Sequence, residues 1–136
     1  MKYIDSFSIA SFKQEEDYIL ERRKTKADMT CYSNSIYPFN IFTWKKLHTI
    51  EFENITIICG GNGCGKSTLL NIIAEKLGVM RRSPFNYTPY YEDYLKLCSA
   101  ELTFGRRLPE TSRIITSDDV FDFLLDIRSL NSAIDR

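Results

Sequence analysis

The sequence predicts an α/β fold, in which a buried strand, a glycine-rich loop and a helix follow one another over residues 55–78 (ITIICGGNGCGKSTLLNIIAEKLG). Three observations carry this. Residues 55–59 are a short apolar, β-branched run that ends at glycines, the pattern of a strand covered on both faces. From Lys66 onward, Leu69, Leu70, Ile73, Ala74 and Leu77 recur at helical spacing, while Asn71 and Glu75 mark a wetter face. Gly78 stands where a helix ends most easily, in the left-handed conformation that glycine reaches without strain.

The loop between these elements reads G-G-N-G-C-G-K-S over residues 60–67, a full match to G-x-x-x-x-G-K-[ST]. Polyphosphates carry dense negative charge, and holding them requires many donors with little bulk. Gly61, Gly63 and Gly65 let the backbone curl so that amides converge on one concavity at the positive end of a helix. Gly60, Asn62 and Cys64 complete the rim. Lys66 is expected to set its ammonium on the β/γ oxygens, Ser67 to ligate Mg²⁺, and Thr68 to offer a hydroxyl near the α-phosphate. The expected ligands are therefore ATP or ADP with Mg²⁺. Beside a helix N-terminus and Lys66, Cys64 is also a candidate reactive thiol, the plainer reading being a filler of a variable loop position.

The whole chain sets bounds. Its 136 residues suffice for one modest domain. Lysine plus arginine balances aspartate plus glutamate, 18 against 18, so bulk charge argues for no nucleic-acid or acidic partner. No apolar run reaches membrane-spanning length, and the N-terminus lacks the apolar core of a signal peptide. Cysteines 31, 59, 64 and 98 form no CxxC pair, so reduced thiols and a cytoplasmic location are the default expectation.

In chain order, residues 2–9 place Tyr3, Phe7 and Ile9 on alternate positions with Asp5 between, an edge or half-buried strand. Residues 14–26 are charge-dense, with Tyr18, Ile19 and Leu20 as the apolar cluster: a short helix, then a basic turn. Its Arg22-Arg23-Lys24 run reads as a solvated face or a phosphate-backbone contact. Residues 37–44 are rich in aromatics (Tyr37, Phe39, Phe42, Trp44). Residues 47–52 then set Ile50 and Phe52 on one face of a strand and Thr49 and Glu51 on the other, and Glu53-Asn54 turns it into the loop's parent strand as an antiparallel hairpin. His48, the single histidine, has no neighbouring carboxylate and reads as structural or solvent-facing. After the loop helix, Thr88-Pro89 predicts a helix start running through Tyr94 and Leu97. Tyr90, Tyr91 and Tyr94 with Arg81 and Arg82 allow a base-stacking platform or, more plainly, packing. Residues 113–116 are a short strand candidate. Ser117-Asp118-Asp119 then caps and charges a helix carrying Val120, Phe121, Leu124, Leu125 and Ile127.

The segment G-x-N-G-x-G-K-S-T-L-L-N (residues 60–71) resembles the phosphate loops of ABC-type P-loop ATPases, especially the soluble SMC/Rad50-like branch and the bacterial "AAA family" ATPases. The resemblance is strong over residues 47–78 and positional elsewhere. It implies the N-terminal portion of a P-loop NTPase core lobe with an antiparallel β-subdomain, incomplete as it stands. An aromatic residue upstream of the loop commonly stacks on adenine in that family. Tyr37 has the spacing, with Phe39 and Phe42 as rivals, and all three also read as core aromatics.

Two departures stand out. The family's glutamine at the entry to the helical subdomain is absent, since Gln14, the one glutamine, precedes the loop. Ser117 or Asp118 occupies the corresponding slot, where a helix cap is the plainer role. No strand of four apolar residues ends in Asp-Glu, and neither a signature motif nor a switch histidine is found. The nearest match, residues 120–126 (VFDFLLD), has helical spacing. Residues 1–115 are accordingly expected to form a nucleotide-binding lobe and 116–136 the truncated start of a helical subdomain. Hydrolysis would need the missing motifs and a second copy, the resemblance implying a homodimer that works on a nucleic-acid or protein partner. The alternatives are a non-hydrolysing nucleotide-binding module and a P-loop small-molecule kinase with Arg106-Arg107 in a lid.

Overall fold

The computed structural model describes residues 1–25 and 36–134, so Lys26, Cys31, the side chain of Arg23 and the last two residues lie outside the described set. Its sheet is built by alternation. In β1 (Ile4–Ser8), Phe7 is fully buried while Ser6 and Ser8 face outward. β1 pairs antiparallel with β2 (Thr49–Glu51) on one side and β3 (Ser99–Leu102) on the other, giving the order β2-β1-β3. Register puts Phe7 between Ile50 and Ala100, the apolar face. On the opposite face Ser6 Oγ donates to Glu101 (2.9 Å) and Ser8 meets Thr49 (2.9 Å). Small polar cross-strand pairs of this kind suit a wet face.

Four strand expectations are corrected or narrowed. β1 is half-buried, as one of its two readings has it, but it is the central strand and not an edge, because β3 arrives from beyond the loop helix to occupy its second side. β2 pairs with β1, so no hairpin joins it to residues 55–59. That segment, expected to be a strand covered on both faces, has a bend at Ile55 and no strand pairing, and Ile55 and Ile57 are 82% and 79% exposed. The outer edges of β2 and β3 are open, but the chain leaving Glu53-Asn54 pairs with neither, and of residues 55–59 Ile58 alone packs against the core. Residues 113–116 likewise reduce to one parallel bridge, Met80 with Arg113.

Helix α1 (Phe12–Thr25) begins with a reciprocal capping box, a start two residues earlier than its charge pattern suggests. Ser11 Oγ accepts the Gln14 amide at 3.3 Å and Gln14 Oε1 accepts the Ser11 amide at 2.9 Å. Tyr18 on this helix stacks on Phe39 (4.5 Å between centroids), which meets Tyr94 edge-on (4.9 Å). Helix α2 (Lys66–Lys76) buries Leu69, Ile72, Ile73 and Ala74. The stripe is rotated from the expected one: Ile72, three residues past Leu69, is fully buried and Leu70 is turned out. α2 ends with Gly78 at φ 63°; Val79 N–H donates to Ala74 and Gly78 N–H to Glu75, a Schellman closure.

Helix α3 (Tyr91–Leu97) starts two residues after the predicted proline. Tyr91 and Tyr94 are fully buried, which removes both rings from any base-stacking platform. Its Asp93 binds Tyr18 Oη (2.7 Å), Arg22 (2.9 Å) and Lys96 (2.8 Å), tying α1 to α3. Helix α4 (Ser117–Ile134) begins as its acidic cap predicts: the Asp119 carboxylate turns back to Thr116 N–H (2.8 Å) and Oγ1 (2.9 Å). The core lies between the sheet's apolar face, α2, α3 and the aromatic segment that includes Phe39 and Phe42. Among the described residues, no helix is long and apolar enough to cross a membrane.

Candidate functional site

The glycine loop and the first turn of α2 form the floor of a hollow of about 570 Å³, lined by residues 62–68 together with Ile41 and Lys45. Among the described residues, its lining carries two ammonium groups and no carboxylate. The backbone bends there because glycine allows it. Gly63 has φ 74° and Gly65 has φ 95°, both left-handed. At Gly65 space is scarce as well: a Cβ would stand 3.0 Å from Ile41 Cγ2 and 3.1 Å from Phe42. Gly65 is also the N-cap of α2, so the amides of the first turn, which have no carbonyl of their own helix to bond, open onto this hollow.

Lys66 folds over the loop. Its Nζ donates to the carbonyls of Gly60 (2.7 Å) and Gly61 (2.8 Å) and lies 3.5 Å from Cys64 Sγ. Burial pushes the Cys64 thiol pKa up, but the amide and ammonium of Lys66, with Lys45 beyond, outweigh it and leave the thiol below its ordinary range. Ser67 is exposed at the start of α2, and Thr68 behind it is half-buried. These residues fit a polyphosphate: a nest of amides, a cation and a hydroxyl converge where glycine leaves room. They fit Mg²⁺ in the way that ion is usually held, by one or two protein oxygens with phosphate and water. Among the described residues, no group of three or more His, Cys, Asp or Glu side chains forms a separate cage.

Tyr37 reaches the site through its hydroxyl, which donates to Thr68 Oγ1 at 3.2 Å, while its ring stands 6.0 Å from that of Tyr91. Its rivals Phe39 and Phe42 are buried in the core and present no free face. Sequence reasoning missed Lys45. It lies just before β2 in a short 3₁₀ turn (Thr43–Lys45), and its Nζ donates to the Cys64 carbonyl of the loop. The only signal was a Lys-Lys pair after the aromatic run, which is indistinguishable from a solvated turn.

Other candidates lie elsewhere. Gln14 caps α1, and Asp122 and Asp126 lie within α4 rather than on a strand. Asp119 lines a different hollow with Arg82 and Arg113. His48 is exposed, with its backbone carbonyl bound to Ile9 N–H (2.8 Å). Arg106 lies over the Tyr3 ring, 5.7 Å from its centroid.

No curated protein and no solved structure matches the chain. Residues 35–77 match the AAA domain family, a span that takes in the aromatic segment, Lys45, β2, the whole glycine loop and all of α2. That match supports an AAA-type, P-loop ATPase-like domain.

Proposed function

We propose that the chain binds ATP or ADP with Mg²⁺ in the hollow formed by residues 60–68, as the N-terminal nucleotide-binding lobe of an ABC-type ATPase. The observation that carries this reading is the convergence on one point of Lys66, two left-handed glycines and the open first turn of α2. Lys66 holds the β/γ-phosphates, Ser67 supplies a Mg²⁺ ligand, and Tyr37 supports the site from behind through Thr68. When bound, Mg²⁺ would neutralise phosphate charge. Orienting an attacking water requires an apolar strand that ends in Asp-Glu, a pair this sequence does not contain, so this chain alone binds and releases nucleotide without turnover.

Titration calorimetry with Mg-ATP and Mg-ADP tests the assignment. Wild type gives saturable heat, and Lys66→Ala loses most of the affinity. Equal binding by K66A would remove Lys66 from the role given to it here. The second reading, a nucleotide-binding module that does not hydrolyse in any context, predicts the same heats. It separates from the first only in a longer chain bearing the acidic strand, which would release phosphate under the first reading and not under the second.

A further inference from the structure

We infer that Lys45 is a second ammonium of the polyphosphate site, carried to it by a strap whose position is fixed by the buried carboxylate of Glu15. The inference rests on the nucleotide reading and adds a specificity residue to it.

Lys45 is an exposed lysine, the kind that ordinarily leaves its ammonium in water. Here its Nζ is bent onto the Cys64 carbonyl, inside the same hollow that Lys66 enters from the opposite end of the loop. A bond from an ammonium to a neutral carbonyl contributes less than one to a phosphate oxygen. An arriving anion therefore draws Lys45 off the carbonyl, as it draws Lys66 off Gly60 and Gly61. Two cations facing one nest, with no carboxylate among the described lining residues, favour the most highly charged ligand.

The strap holding Lys45 is fixed from α1. Glu15 is 1% exposed, and its Oε2 accepts the Asn40 amide (2.8 Å) and the Thr43 hydroxyl (2.7 Å). Between those anchors lie Ile41 and Phe42, the side chains that stand against Gly65. Thr43 and Lys45 share one 3₁₀ turn. A buried carboxylate is costly unless bonded; this one directs both of its hydrogen bonds, through Oε2, to the strap, while its Oε1 is buried without a partner among the described residues. Glu15 is thus a positioning residue for Lys45.

Calorimetry on the full chain with Mg-ATP and Mg-ADP, in wild type, Lys45→Gln, Lys45→Arg, Glu15→Gln and the E15Q/K45Q double variant, tests this. K45Q is expected to lose roughly tenfold in ATP affinity, the scale of one charge-assisted bond, and to lose less for ADP. K45R keeps affinity within about threefold. E15Q weakens ATP binding in the Lys45 background but adds nothing to K45Q, a non-additivity that general destabilisation would not produce. Should E15Q fail to fold, the Lys45 pair decides alone. If K45Q binds ATP as tightly as wild type while K66A does not, Lys45 has no part in the site and this inference falls by itself. If wild type gives no heat, the nucleotide reading falls too.

Discussion

The loop's character is decided by single atoms. At Gly65, backbone conformation and crowding coincide: φ is 95°, and a methyl group would press on Ile41 and Phe42. Gly65→Ala is expected to cost about 1–3 kcal/mol through the strained dihedral alone and to abolish nucleotide binding. A urea midpoint and a calorimetric titration check the two effects separately. The cysteines provide a second residue-scale test. Cys98 is buried, and desolvation raises its pKa to about 11, so it should stay unmodified by iodoacetamide at neutral pH. Cys64, lowered by its neighbour Lys66, should alkylate readily, and Mg-ATP should protect it. Peptide mass spectrometry reads the outcome. Labelling of Cys98 in the folded chain, or nucleotide-independent labelling of Cys64, would contradict this picture.

Elements were legible in proportion to how local their cause is. α2 was readable because its start, its stripe and its glycine stop all lie within a dozen residues. Even so, its buried side was misjudged by one position, since packing against the sheet and α3 chooses Ile72 over Leu70. β3 was missed because Ser-Ala-Glu-Leu has no strong strand formers; it exists because β1 offers it an edge. The α1 capping box was present as Ser11 and Gln14, three apart, and is expected to contribute about 1 kcal/mol, measurable as the destabilisation of Ser11→Ala. The α1–α3 junction carries a pH signature. Lys96, Tyr18 and Arg22 together outweigh burial and hold Asp93 at about 2. A folded pKa below the unfolded one stabilises above the unfolded value, near 4 for a free aspartate, and that contribution fades as pH falls from there toward about 2. Tyr18 works in the opposite direction. Burial and then Asp93 raise it to about 12, so its contribution is intact below the ordinary tyrosine value of about 10 and fades as pH climbs toward the raised one. Asp93→Asn should therefore flatten the acid limb of a stability–pH curve between about 2 and 4; an unchanged limb would mean the junction contributes nothing.

For the whole molecule, how legible an element is follows how far along the chain its partners lie. Loop, lysine and helix are specified by contiguous residues, whereas the strand expected before the loop depends on a pairing partner from elsewhere in the chain. Without that partner Ile55 and Ile57 remain in water. α4 shows the same imbalance on a larger scale. Phe121, Phe123, Leu125 and Leu130 are each at least 60% exposed on a helix whose N-terminus is firmly capped by Asp119. Scattered exposed apolar groups are ordinary, but so many on one helix are expected to favour self-association and dye binding. Their exposure also means that they contribute little to folding, so polar replacements should be well tolerated. A Phe121→Glu/Leu125→Glu variant is accordingly expected to keep the wild-type thermal midpoint, to bind less of a hydrophobic-surface dye, and to sediment as a single species at concentrations where wild type self-associates. The midpoint is the decisive reading. Were it to fall by the several degrees that losing two core side chains entails, those side chains would be packed in solution, and α4 would belong to the core that Phe7, Ile72, Tyr91 and Tyr94 build without it.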